Sequence, residues 1–202
     1  GRRGPGMIQA LLYVLETVFG LFALAALTRF YAQAFRAPFR NPVANFVVAL
    51  TDFAVKPLRR IIPGALGLDV ASLVVAWLTQ VLLLISVYAL VAPNVLAFGG
   101  FWPVVALLAM VKVLKLSIYL LMGVVIIVAL MSWLNPYHPI RPFFDALSRP
   151  FLRPLQRVIP LVGGVDLSTL ALLLILQVVL IAPMAWLEAE GSRALLRLVG
   201  AG

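Results

Sequence analysis

The chain contains no cysteine among its 202 residues. Disulfides, thiolate metal centres, thioether-linked haem and cysteine nucleophiles are therefore excluded. It has one histidine, His138, so no histidine cluster is available for zinc or iron. Charge is scarce as well: charged residues make up 11% of the sequence, against about 25% in soluble domains. Only seven residues are acidic. No GxxxxGK[ST] or HExxH pattern occurs, and the glycines are scattered. An ordinary soluble enzyme is ruled out, and so is a disordered tail, which needs low hydrophobicity. The chain reads as non-catalytic, with no cofactor and no metal.

What is present in excess is hydrophobic sequence, at 64%. A membrane span needs about 20 mostly apolar residues. Four stretches qualify: 8–28, 70–91, about 112–134 and 167–187. The expected fold is all-α, a membrane bundle of four transmembrane helices. The third span is ambiguous, because apolar sequence already begins at Pro103. A helix from there to Leu134 would measure about 48 Å, more than the roughly 30 Å of hydrocarbon. It either projects from the membrane or breaks near Lys112. Pro93–Pro103 is expected to be an extracytoplasmic connection, with a re-entrant loop as the alternative. Residues 1–6 read as an appended segment ahead of a natural start at Met7, and 188–202 as a polar tail. The run from Ile8 to Leu27 is too long for a signal-peptide core, and no small-residue cleavage site follows it.

The net charge of +9 is unevenly placed. Arg29, Arg36, Arg40, Lys56, Arg59 and Arg60 lie between spans one and two. Arg141, Arg149, Arg153 and Arg157 lie between spans three and four, whereas the middle loop offers only Lys112 and Lys115. This bias puts both long basic segments in the cytoplasm and both termini outside. Orientation accounts for the charge, and nucleic acid is not an expected partner.

The chain also repeats itself. Pro57-Leu58-Arg59-Arg60-Ile61-Ile62-Pro63 returns 97 residues later as Pro154-Leu155-Gln156-Arg157-Val158-Ile159-Pro160. At the same spacing Gly67 meets Gly164, Asp69 meets Asp166, and Gln80 meets Gln177. Upstream, Asn41-Pro42 meets Asn135-Pro136, Gly20 meets Gly123 and Arg29 meets Ser132. Two tandem parallel repeats are expected, 7–100 and 101–187, each a span, an amphipathic basic elbow and a span. A pseudo-two-fold axis along the membrane normal would relate them.

Each repeated residue carries a physical expectation. Val43, Phe46, Val47, Leu50 and Phe53 form a helical stripe, so 42–56 is an interfacial helix with Asn41 as cap. Phe143, Phe144, Leu147 and Phe151 repeat it over 139–153. Pro57 and Pro154 should end these helices, since proline donates no backbone bond. Lys56, Arg59, Arg60, Arg149, Arg153 and Arg157 then sit at headgroup level, candidates for binding anionic lipid or a partner protein. Asp69 and Asp166 precede long apolar runs and are expected to be helix caps. Gln80 and Gln177 lie about 16 Å past those caps, near mid-membrane, at the depth of Gly20 and Gly123. Glycines there would permit close helix packing, with amides bonding across the gap. Glu16 is an acid within a span and needs a cation; Lys115 is the expected partner, with Lys112 second.

On the doubled PLRRIIP-type and Gly-Leu-Asp motifs and Asn41-Pro42, the chain resembles the YggT family, also called YlmG-like, from about Ile8 to Leu187. The resemblance implies a multi-pass protein of the bacterial inner membrane without established enzymatic activity. It implies roles in osmotic tolerance, division-site organisation or membrane-complex assembly, with an unidentified membrane or division protein as partner. The expectation is a scaffold or assembly factor; a homo-oligomer is compatible with it. The competing expectation is an oligomeric ion channel or transporter subunit acting in osmotic adaptation. Gln156 stands where the first copy has Arg59, so the two elbows are not chemically identical.

Overall fold

The structure is a computed structural model, and it describes residues 5–62, 64, 67–159 and 166–200. Pro63, Pro160 and Gly164 of the doubled motifs lie outside the described residues. The chain forms α1 (Pro5–Ala34), α2 (Pro42–Ile61) and α3 (Val70–Val91), then a 3₁₀ turn (Pro93–Ala97). It continues through α4 (Phe101–Leu134), α5 (Arg141–Val158) and α6 (Leu167–Val179). A π-helical turn (Leu180–Met184) then leads without a break into α7 (Ala185–Gly200). Four helical rods are long and apolar enough to cross a membrane: α1, α3, α4 and the α6–α7 rod. Four crossings would place both elbows on one face and both termini on the other.

Several boundaries differ from expectation. The helix containing Lys112 is unbroken for 34 residues, about 51 Å, so the break near Lys112 does not occur. It is continuous because nothing in Phe101–Leu134 removes a backbone donor after its first turn, where Pro103 is harmless. The stretch from Glu188 is no loose tail, because α7 carries it to Gly200 along α4. Leu195 there is fully buried against Val95, Phe101 and Leu108. Pro57 and Pro154 do not end their helices, which run on to Ile61 and Val158. Each proline costs one backbone bond, but Pro57 and Pro154 are exposed, where a displaced carbonyl is least costly. Pro183 is absorbed by the π turn.

α1 ends with a left-handed residue at Arg36 (φ 54°), where glycine is usual. Ala37 N–H donates to Ala32 C=O (2.8 Å), closing the wide loop of bonds typical of such an ending. α2 starts as its sequence dictates: Asn41 Oδ1 accepts from Ala44 N–H (2.9 Å) and Pro42 fills the first turn. The second elbow lacks that cap, since Asn135 instead accepts from Tyr137 N–H.

The chain folds as two successive units, α1–α3 and α4–α7. Their interiors correspond: Val55 and Val75 are buried together in the first, Leu152 and Leu172 in the second. The units are not arranged about a two-fold axis, however. α4 lies along both α3 and α1, and α5 reaches α1. A two-fold would set α6 and α7 against α1, and among the described residues they do not meet it. They pack on α4, with α6 also against α5 and α7 against the 3₁₀ turn, and are held there by the apolar cluster around Leu195 and by an ion cluster described below.

Candidate functional site

The elbow of the first unit closes on a buried polar knot. Arg29, at the end of α1, is only 5% exposed. Its Nη1 donates to Asp52 Oδ1 (2.8 Å) and Thr51 Oγ1 (3.0 Å) on α2. Its Nε lies 3.5 Å from Asp69 Oδ2 at the head of α3. Asp69 caps α3, accepting from Ser72 N–H and Ser72 Oγ, and also receives Arg59 Nε (3.0 Å) and Nη2. Lys56 Nζ reaches Asp52 Oδ2 at 2.7 Å. Three helices are thus tied at one corner by three cations and two carboxylates. Gly67, just before the cap, adopts φ +79°, a conformation that side chains disfavour, so the chain can turn into α3.

The carboxylates respond as expected for such partners. Hydrogen bonds from Lys56 and then Arg29 hold Asp52 below the ordinary carboxylate range. Burial pushes Asp69 upward, yet the bonds from Arg59 and Ser72 outweigh it and leave its carboxyl below that range. Asp166 behaves likewise: burial raises it, while Ser168 and Gln156 bring it down further.

The second elbow is built from different chemistry. Asp166 caps α6, accepting from Ser168 N–H (3.0 Å), and takes Gln156 Nε2 (2.8 Å) where Asp69 takes Arg59. Ser132 stands for Arg29 and bonds only to Ala129 C=O. Arg149 stands for Asp52. Arg149, Arg153 and Arg157 are exposed and four residues apart, so they share one face of α5. Among the described residues none of the three has an acidic partner. On α2 Arg60 is the one such cation among the described residues.

The intramembrane groups need correction. Lys115 does not meet Glu16. Its Nζ lies 2.5 Å from Glu188 Oε2, with Lys112 Nζ 3.4 Å from Oε1 of the same residue. The reason is the helical course of α7, which carries Glu188 beside α4. Glu16 is exposed on α1 and has no ion pair among the described residues. Gln80 is buried (2% exposed), but Gln177 is exposed, so the two amides do not form one inward layer. Gly20 and Gly123 do not mediate close packing, since a Cβ on either would meet nothing within 4 Å. The close approach occurs at Gly191, where a Cβ would lie 2.7 Å from Leu108 Cδ1.

Gln80 Nε2 is buried without a hydrogen-bond partner. An unpaired buried donor costs about 1–3 kcal/mol. Gln80→Leu is therefore expected to raise stability, by about 1–2 kcal/mol, in a thermal or denaturant melt of detergent-solubilised protein. A destabilised variant would mean that the amide is bonded in the folded protein.

Arg29, Thr51, Asp52 and Glu188 are the residues that sequence reasoning misses. A signal for them exists: of seven acids, one lies in the first elbow and one at its end, among six basic residues. So few carboxylates in so basic a setting imply pairing.

These features define a class: a polytopic α-helical membrane bundle of two helix–elbow–helix units, with the cations of one elbow mostly paired with carboxylates and those of the other mostly unpaired among the described residues. The model of the CCB3/YggT family matches the chain twice, over 8–90 and 107–187. The chain belongs to that family. It is 32% identical over 189 residues to the protein named YggT of Escherichia coli strain K12, covering 93% of this chain and 96% of that one. It is 36% identical over 176 residues to protein PA0392 of Pseudomonas aeruginosa, covering 86% and 88%. A Vibrio alginolyticus protein named for its place beside proC is 32% identical over 171 residues, covering 84% and 91%. All three are described as uncharacterized. No solved structure matches.

Proposed function

We propose that this protein is a non-catalytic organiser of the bacterial inner membrane, which holds anionic headgroups against the cytoplasmic face of its second elbow. One observation carries the reading: Arg149, Arg153 and Arg157 form an exposed cationic stripe with no acidic partner among the described residues. The first elbow serves a different end, because Lys56 and Arg59 are engaged by Asp52 and Asp69. Both termini are extracytoplasmic in this reading, which follows the distribution of lysine and arginine. Division-site or complex-assembly roles fit a protein that marks anionic membrane and presents a docking surface. Conduction is less well supported. Two cavities, of about 280 and 470 Å³, are lined almost wholly by apolar side chains such as Leu121, Leu176 and Phe22. A conducting path needs polar lining.

Each basic residue at an anionic surface contributes about 1 kcal/mol. Replacing Arg149, Arg153 and Arg157 with glutamine should weaken retention of phosphatidylglycerol and cardiolipin by roughly a hundredfold, and rising salt should erase the difference. Replacing Lys56 and Arg59 should lower stability and leave lipid retention nearly intact. Unchanged lipid retention by the triple variant would defeat the lipid reading and turn attention to a protein partner.

A further inference from the structure

The two elbows share a backbone pattern but not a neighbour. At the 97-residue spacing, Thr51 and Val55 on α2 correspond to Ser148 and Leu152 on α5, and all four are buried. The adjoining face differs. Phe143 is 1% and Leu147 is 3% exposed, because the end of α1, its link and the start of α2 cover them with Ala32, Ala37 and Ala44. Their counterparts Phe46 and Leu50 are 66% and 38% exposed. The neighbouring span agrees. Val124 belongs to the covered cluster, while Leu21, its counterpart when Gly20 is set against Gly123, is exposed.

The covering surface has its own counterpart. In the first unit it is the C-terminal end of α1 and the link to α2. In the second unit that place is the end of α4 and the link to α5, where Trp133, Leu134 and Tyr137 are 78%, 81% and 95% exposed. One molecule therefore holds one filled unit-to-unit contact and leaves the corresponding places of both units uncovered, with large side chains in the second unit where the filled contact has alanines.

We propose that the Phe46–Leu50 face of α2 docks the Trp133–Tyr137 end of a second copy of this chain, repeating between molecules the contact that joins the two units within one. The absence of a two-fold between units is what leaves these places free. A contact of this kind is heterologous, and it closes into a ring when the rotation per unit allows. The occupant is a second copy because this chain already contains a surface that fills the equivalent face.

The native absence of cysteine makes the test direct. One chain carries Phe46→Cys, another carries Tyr137→Cys, with different tags, and both are co-expressed and oxidised in native membranes. Phe46→Cys with Leu174→Cys serves as the control, since Leu174 is exposed on α6. The expected result is a mixed-tag dimer from the first pair at least tenfold above the control. Mass measurement in native-lipid nanodiscs should give at least two chains. A single-chain mass overturns the proposal and leaves lipid as the occupant of the face. So does equal cross-linking in both pairs, or linkage of Phe46→Cys chains only to each other. Lipid retention by the arginine stripe is measured separately, so this proposal and that one can fail independently.

Discussion

Arg29→Met is expected to cost about 3–5 kcal/mol of stability, the range for removing one partner of a buried charge cluster. Arg29 and Asp69 are almost fully buried, at 5% and 2% exposed. Methionine retains much of the stem's packing, so the loss falls on the charges. Asp52 keeps Lys56 and Asp69 keeps Arg59, but Thr51 loses its donor and each carboxylate loses a cation. A thermal melt in detergent reads the effect. Arg29→Met with Asp52→Asn should cost less than the two single changes summed, because the double variant buries no surplus charge. The knot also sets the response to acid. Asp52 and Asp69 titrate below the ordinary carboxylate range in the folded protein. Their stabilisation is complete above that range and is lost as pH falls through it and on through the depressed folded values. The Arg29→Met variant should show a shallower decline over the same acid window. A variant as stable as the parent, with an unchanged acid profile, would mean that the knot does not hold the elbow.

Glu188→Gln should be the second most damaging single change, at about 2 kcal/mol. It leaves Lys112 and Lys115 on one face of α4 with no counter-charge beside them. Adding Lys112→Met and Lys115→Met to Glu188→Gln should recover most of the loss, since an apolar replacement of a whole cluster is often neutral. Glu16→Gln is the contrasting case and should be close to silent, as Glu16 is exposed and unpaired among the described residues. Equal losses from Glu16→Gln and Glu188→Gln in the same melt would refute this assignment of partners.

Span positions are legible in the sequence because hydrocarbon thickness demands a minimum apolar length, and no other constraint competes with it. The caps at Asp69 and Asp166 are legible for a local reason: cap, turn and helix lie within a few residues. Pairings across helices are not. Glu16 and Glu188 each have a claim on Lys115 by depth alone, and only the rotation of α7 about its axis decides between them. Rotation also separates Gln80 from Gln177, which share a depth but not a face. Pro57 and Pro154 mislead because a helix end is a balance. One lost backbone bond is tolerated when the residues beyond it, such as Leu58, still have an apolar surface to cover. Gly191 escapes notice since nothing near it repeats, although among the described residues it is the glycine where two helices meet.

The Arg29 knot has a consequence for the order in which the protein is made. Every residue in it lies between Arg29 and Ser72, and α3 ends at Val91. All its partners have therefore been synthesised before the first residue of α4, and chains fold from the N-terminal end as they emerge. The first unit can lock its corner in the bilayer while the second is still inside the ribosome. The second has no such lock among the described residues, and α4 finds α3 and α1 already joined. The early unit is the template and the late one its guest. Loss of the knot should therefore appear first during biogenesis, as chains whose later helices are inserted but not docked.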